Sequence, residues 1–306
     1  MSNTASGLPT TTTLPVVVVG SLNADVVMRV PAIPRPGETV LATSVETRDG
    51  GKGGNQACAA ARLGAPTTMI GCVGADDAGK DADAGLRAAG VDVSALQVGN
   101  RRTGTATVLV ADDGENVIVV DPGANALLSP EYVRDVLERF DDAVVLISLE
   151  IPSETAIAAA VRAAERGFTV VVNPAPAHPL APELLRACNI LVPNQHEVDY
   201  LGVVDVAALL RSGPEVVVVT HGRRGADVWR ADREPHHQAA FPVDAADTTG
   251  AGDAFCGGLA WALARGDDVD RAVLVGAAAG ALATRATGAR SSLPGPRDID
   301  RLIGGG

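Results

Sequence analysis

The segment Asp247-Thr248-Thr249-Gly250-Ala251-Gly252-Asp253 runs directly into an apolar helix pattern over 254–265. Small residues ahead of a helix let consecutive backbone N–H groups converge at its positive end, so Gly250, Ala251 and Gly252 could hold a phosphate in flight. Asp253, in the first turn, has two chemistries open to it. It can cap the helix, or it can accept a proton from an attacking hydroxyl. A second glycine-rich turn, Gly50-Gly51-Lys52-Gly53-Gly54-Asn55-Gln56-Ala57, opens another helix. It lacks the Gly-Lys-Ser/Thr order of a P-loop. Its glycines either let a ligand approach the backbone or make a tight turn beside a surface lysine. Further upstream, Gly20-Ser21-Leu22-Asn23-Ala24-Asp25 puts Asn23 and Asp25 on one face by the period of two. Two such groups at a strand end can hold adjacent sugar hydroxyls, or close a local Asx turn.

These turns need a frame, and the apolar pattern supplies one. Fully apolar runs at 16–19, 143–147, 168–172, 190–192 and 216–219 have the composition of strands buried on both faces of a parallel sheet. Between them lie alanine-rich amphipathic stretches at 55–63, 81–89, 154–166, 251–265 and 269–284. The alternation predicts a doubly wound α/β sheet whose ligand sits beyond the carboxyl ends of the strands. Two stretches, Asp25 to Glu46 and Thr103 to Val120, break the rhythm with strand-like runs and the turn signals Pro-Arg-Pro-Gly and Asp-Asp-Gly-Glu. They predict a small antiparallel sheet inserted into the core.

A chain of 306 residues with 46% hydrophobic content suits one large α/β domain with a smaller appendage. Its 25 basic and 37 acidic residues leave a net charge of -12, which repels nucleic acid and anionic membranes and favours a small-molecule role. A bound phosphate must then be held by local amides, a few cations and a metal. Cys58, Cys72, Cys188 and Cys256 form no C-x-x-C pair and lie in apolar segments, as buried thiols do. The scattered histidines, His236 and His237 among them, read as surface residues. No apolar run approaches the ~20 residues of a membrane span. The first 14 residues lack the features of a signal peptide and read as a polar, disordered tail on a cytoplasmic protein.

Taken together, the three polar segments resemble the ribokinase family, the PfkB sugar kinases, from Val16 to about Ile303. One signature of that family spans 50–74 with Asn55, Ala57, Gly64 and Gly74 in place; the other spans 247–257 as D-T-x-G-A-G-D. Shorter motifs resemble the ribokinase branch in particular: G-S-x-N-x-D at 20–25, P-G-E-T at 36–39, G-K-G-x-N-Q at 51–56, Gly-Ala-Asn at 123–125 and N-P-A-P-A at 173–177.

The resemblance implies a three-layer α/β/α core over 15–306, with a mostly parallel sheet. It also implies a β-sheet lid from 22–48 and 101–120 that covers the sugar and pairs with a second subunit's lid in a homodimer. The implied activity is ATP-dependent phosphorylation of D-ribose at O5. The alternatives are a kinase of the same family for another sugar or nucleoside, and a sugar-binding pseudokinase. Asn23, Asp25, Gly51, Lys52, Gly53, Gly54, Asn55 and Glu150 would surround the sugar. Asp253 would deprotonate its terminal hydroxyl, and Gly250, Ala251 and Gly252 would form the anion hole. Asn194 and Glu197 match an N-x-x-E motif of the phosphate and Mg²⁺ shell, with Gln195 where the family carries an acidic residue. Thr220-His221-Gly222-Arg223-Arg224-Gly225 matches the nucleotide-binding turn, in which Arg223 and Arg224 either touch phosphate or are solvated. A K⁺ site would take Asp247 and Thr249 on one side, and Gly288 and Ser292 from the loop 284–292 on the other. That loop is one residue longer before Gly288 than the family pattern.

Overall fold

The computed structural model describes residues 13–202 and 205–305; of the tail expected over 1–14, residues 1–12 lie outside the described residues. Leu14 is tied to the body of the protein, its backbone N–H donating to the Ala264 carbonyl at 2.8 Å. The strands among the described residues are β1 (Val16–Val19), β2 (Asn23–Val30), β3 (Ser44–Gly50), β4 (Thr67–Gly74), β5 (Leu96–Gly99), β6 (Gly104–Ala111), β7 (Asn116–Asp121), β8 (Val144–Ser148), β9 (Thr169–Asn173), β10 (Ile190–Leu191), β11 (Val216–Thr220), β12 (Ala226–Arg230) and β13 (Arg233–Gln238).

Nine of them form one sheet in the order β13-β12-β11-β10-β9-β8-β1-β4-β5. From β11 across to β5 the neighbours run parallel, and β12 and β13 add antiparallel pairs at one edge. Strand alternation divides the core into two layers. Val16 and Val18 of β1 pack with helices Lys52–Arg62, Asp77–Ala88, Ala251–Ala264 and Val269–Ala283. Val17 and Val19 face helices Pro130–Leu137 and Ser153–Glu165 on the opposite side. Both faces of the central strands are therefore buried, which is why their sequences are uninterrupted apolar runs. Strand β4 is buried at every position although Thr67, Thr68, Gly71 and Cys72 break its apolar run. No helix among the described residues is long and apolar enough to cross a membrane. All four cysteines are buried and free.

A separate four-stranded sheet, ordered β3-β2-β6-β7, forms from the two stretches that break the helical rhythm. It is antiparallel within β2–β3 and β6–β7, as expected, whereas its central pair β2–β6 runs parallel, with Asn23 opposite Gly104. The reason is connectivity: each hairpin leaves the large sheet at the same end and points the same way. One face of this lid covers the cavity described below. Strand β7 is exposed along its length, including Val117, Ile118, Val119 and Val120.

Helices Lys52–Arg62 and Ala251–Ala264 approach each other at Gly257. A Cβ at that position would lie 2.5 Å from the Ala59 Cβ and 2.8 Å from the Gln56 carbonyl oxygen. The contact falls one turn after Asp253, so it sets the distance between Asp253 and the side chains of Asn55 and Gln56. Gly257→Ala is expected to force the helices apart and to cost about 1–3 kcal/mol of stability by denaturant unfolding. A loss below about 0.5 kcal/mol would show that the pair parts freely.

Candidate active site

Strand β1 leads to β4 on one side of the sheet, whereas β8 and β9 lie on the other. Between β1 and β8 the winding reverses, and the carboxyl ends of these strands open a crevice. A cavity of about 710 Å³ lies there under the lid, lined by Asn23, Asp25, Lys52, Asn55, Glu150 and Asp253 among others. A second cavity of about 200 Å³ is lined by Asn173, Asn194, Glu197, Thr220 and Gly252. Lys52, Gly250 and Asp253 line both. The two spaces meet at these three residues.

The helix Ala251–Ala264 is capped by Gly250, in the left-handed conformation at φ 77°, with no side-chain cap. A Cβ at Gly250 would lie 2.6 Å from that of Ala289. Asp253 therefore is not the cap. Its two carboxylate oxygens turn to the other helix and accept hydrogen bonds from Asn55 Nδ2 at 3.0 Å and Gln56 Nε2 at 3.1 Å. Burial pushes its proton affinity up; Lys52, Asn55 and Gln56 pull it back only in part, and it stays above the usual carboxylate range.

Lys52 begins the helix after Gly51, whose φ of 83° and backbone contacts with Ser21, Leu22 and Asn23 leave no room for a side chain. Burial disfavours the Lys52 ammonium, yet Asp253, Glu150 and Glu197 around it outweigh that and hold its pKa above the ordinary lysine value. Glu150 accepts from Ser21 Oγ at 2.5 Å, Asn23 Nδ2 at 3.4 Å and the Lys52 backbone N–H at 3.2 Å. Asn125 fixes Asn23 from behind, donating to its Oδ1 at 2.8 Å. Asp25 has one buried oxygen, Oδ1, without a hydrogen-bond partner. Burial, and then the neighbouring Glu150, push its pKa up to about 7. An unpaired buried carboxylate oxygen facing a polar cavity is a place for a ligand hydroxyl.

Of the residues expected around a sugar, Asn23, Asp25, Gly51, Lys52, Asn55 and Glu150 line the larger cavity, and Gly53 and Gly54 line neither. The helix already begins at Lys52, so these two glycines rotate toward the protein's own backbone and side chains. A Cβ on Gly53 would lie 2.7 Å from the Gly20 Cα, and one on Gly54 2.2 Å from an Arg290 nitrogen. Asn55 is also differently engaged than expected, since its Oδ1 accepts from Arg290 Nε at 2.9 Å. Gln56, Ser21, Asn125 and Arg290 were not singled out as site residues. The first three stand inside quoted motifs, and Arg290 lies in the loop 284–292 expected beside the cation, a local signal in each case.

On the other side of Asp253, Asn194 caps helix Gln195–Tyr200 and shares a reciprocal capping box with Glu197. Glu197 is buried, and desolvation raises its pKa despite the backbone N–H of Asn194 and nearby Lys52. Thr220 lines the smaller cavity, and His221 to Gly225 do not. His221 Nε2 and His237 Nδ1 pair with the two oxygens of Asp227, at 2.9 and 2.6 Å. Arg223 and Arg224 are exposed, on the short turn of helix that follows β11. Asp247 joins the two segments expected around a monovalent cation, accepting from the Thr249 N–H at 2.9 Å and the Gly288 N–H at 3.0 Å. Ser292 Oγ donates to the Gly288 carbonyl at 2.7 Å.

The Asp25 titration has a stability consequence. Because its folded pKa lies above the usual carboxylate value, the stability it contributes is complete at low pH and is lost as pH rises through about 7. In the ligand-free protein, Asp25→Asn should gain stability relative to wild type between pH 5 and pH 8 in thermal melts. A constant difference across that interval would show that Asp25 titrates normally.

A sequence profile described as pfkB family carbohydrate kinase matches residues 14–296. The ribokinase of Bacillus subtilis is 37% identical over 289 residues, covering 94% of this chain and 98% of that protein. The ribokinase of Haemophilus influenzae is 39% identical over 289 residues, covering 90% of this chain and 94% of its own. Among solved structures, Arabidopsis thaliana ribokinase complexed with ribose and ATP superposes with a TM-score of 0.86 at 32% identity, covering 95% of this chain and 99% of that one. With the profile spanning nearly every described residue and these relatives matched almost end to end, the chain belongs to the pfkB family of carbohydrate kinases.

Proposed function

We propose that this protein transfers the γ-phosphoryl group of ATP to O5 of D-ribose, with Asp253 as general base. The observation that carries the proposal is the position of Asp253 at the junction of the two cavities, with its carboxylate freed from the helix end. The relatives support the substrates, being ribokinases, one of them complexed with ribose and ATP. Ribose would occupy the larger cavity, its hydroxyls meeting Asp25, Asn23, Glu150 and Lys52. The phosphates of ATP would enter the smaller one.

In the reaction, Asp253 takes the O5 proton while the sugar oxygen bonds to the γ-phosphorus and the bond to the β-phosphate oxygen breaks, releasing ADP. A raised proton affinity suits that role, because a base works best when its pKa lies nearer the operating pH. The backbone N–H groups of Gly250, Ala251 and Gly252 would receive the charge in transfer, each donor being worth ~10²-fold or more in rate. Lys52 supplies the fixed positive charge between the two cavities. Glu197 and Asn194 fit an outer shell for Mg²⁺, which when bound neutralises phosphate charge. The set formed by Asp247, Thr249, Gly288 and Ser292 fits K⁺, since it offers neutral oxygens and a single carboxylate. Val117 and Val119, exposed on β7 and outside the cavity lining, mark the strand proposed to pair with a second copy of the lid in a homodimer. ATP as donor and four free thiols fit the cytoplasm.

Two measurements follow. Wild type should release ADP in a ribose-dependent manner, faster than with fructose or adenosine, and Asp253→Asn should lose at least ~10²-fold in kcat while still binding ribose. A variant that keeps most of its turnover removes Asp253 from the chemistry. At equal ionic strength, K⁺ should activate more than Na⁺; equal rates with the two ions would mean that the longer loop holds no selective site.

A further inference from the structure

We propose that Arg290 is a positioning residue for phosphoryl transfer, its guanidinium fixing the amide of Asn55 that in turn holds Asp253. The inference rests on Asp253 as base, and it concerns a residue that lines neither cavity.

Arg290 Nε donates to Asn55 Oδ1 at 2.9 Å, and Asn55 Nδ2 donates to Asp253 Oδ2 at 3.0 Å. The two charged neighbours determine which way the amide points. Flipped, it would set its carbonyl against the carboxylate and its NH₂ group against the guanidinium, two like-polarity contacts in a buried place. Arg290 is itself held firmly. Nη2 donates to the Gly50 carbonyl at 2.6 Å, Nη1 lies 3.6 Å from Asp49, and its own carbonyl accepts from Arg62 at 3.2 Å. The side chain is only 12% exposed. It passes over Gly54 where any side chain would collide with Nη2, which gives that glycine its purpose.

Arg290 also belongs to a loop that touches the site at consecutive positions. Gly288 donates to Asp247, Ala289 packs on Gly250, and Arg290 reaches Asn55. The position of the base is therefore tied to the same short segment that rests on the proposed anion hole. Removing the guanidinium leaves the Asn55 oxygen buried without its donor, and lets the amide rotate away from Asp253. Lysine keeps the charge but cannot supply two donors in a planar fork to Asn55 and Gly50 together.

The test is a double-mutant cycle on kcat with ribose and ATP, using Arg290→Met, Asn55→Ala and the double variant. Arg290→Met should lower kcat about 10-fold with KM for ATP unchanged, less than the ~10²-fold to 10⁴-fold of losing a general base outright, because the base is displaced rather than removed. In the Asn55→Ala background the same change should alter kcat less than ~2-fold, because the relay is already broken. Arg290→Lys should recover part of the loss. An unchanged kcat in Arg290→Met, or losses that multiply in the double variant, would overturn the inference. If Arg290→Met shows no cooperative melt, the cycle is read with Arg290→Lys, whose loss must likewise vanish in the Asn55→Ala background. Failure of the base itself is distinguishable, because it appears as turnover in Asp253→Asn whatever the cycle returns.

Discussion

Lys52 is one of only two lysines in the chain, and four carboxylates share its charge: Asp253, Glu150, Glu197 and Asp25. Gathering like charges in a partly desolvated crevice is costly, and one ammonium cannot neutralise them all. The surrounding structure is arranged to bear that cost. Asn55 and Gln56 donate to Asp253, Ser21 and Asn23 donate to Glu150, and the Asn194 amide and backbone N–H donate to Glu197. Of these four carboxylates, Asp25 keeps an unpaired buried oxygen, and burial with the neighbouring Glu150 pushes its pKa up to about 7. The unpaired Asp25 oxygen and the excess of carboxylates over ammonium are what a hydroxyl-rich ligand and a cation-bearing phosphate chain would satisfy.

Each half of the crevice is built from a different kind of element. The sugar side takes its polar groups from the start of β2, from the end of β8 and from the helix opening at Lys52. The phosphate side takes its groups from the ends of β9, β10 and β11 and from the helix Ala251–Ala264. Only the close approach of two helices at Gly257 brings the halves into register, since it is there that Asn55 and Gln56 come within reach of Asp253. Strand β2 is shared between lid and site, so Asn23 and Asp25 are at once lid residues and cavity lining.

Much of this was legible in the sequence, for identifiable reasons. Strands buried on both faces must be apolar throughout, so β1, β8, β9, β10 and β11 were visible as runs. Strand β4 was not, because its threonines, Gly71 and Cys72 resemble a turn until neighbours on both sides bury it. The polar groups at strand ends were visible because they cluster with glycines. Their exact work was not: Gly53 and Gly54 carry the signature of ligand approach, but the helix starts one residue too early for them to face the cavity. Likewise, position in the first turn could not separate a capping Asp253 from a basic one; the separation depends on Asn55 and Gln56, nearly two hundred residues earlier in the chain. Arg290 stands in the loop expected beside a cation, but its own role was not legible, because its partners lie at residues 50 and 55.

Protein synthesis proceeds from the N-terminal end, so the stretch from Ser21 to Asn55 leaves the ribosome long before residues 288–290. The strands of the large sheet among the described residues all precede residue 239, but one of its faces is covered by helices Ala251–Ala264 and Val269–Ala283 and by Leu293 and Ile299. The crevice in turn needs residues 288–290, since Gly250 lacks the packing of Ala289 and Asn55 lacks its guanidinium until the loop docks. A chain that ends before the loop therefore lacks both the side chains that finish one face of its core and the contacts that hold its base. The groups that complete one face of the core and those that hold the base thus come from a single stretch, made after every strand of the sheet among the described residues.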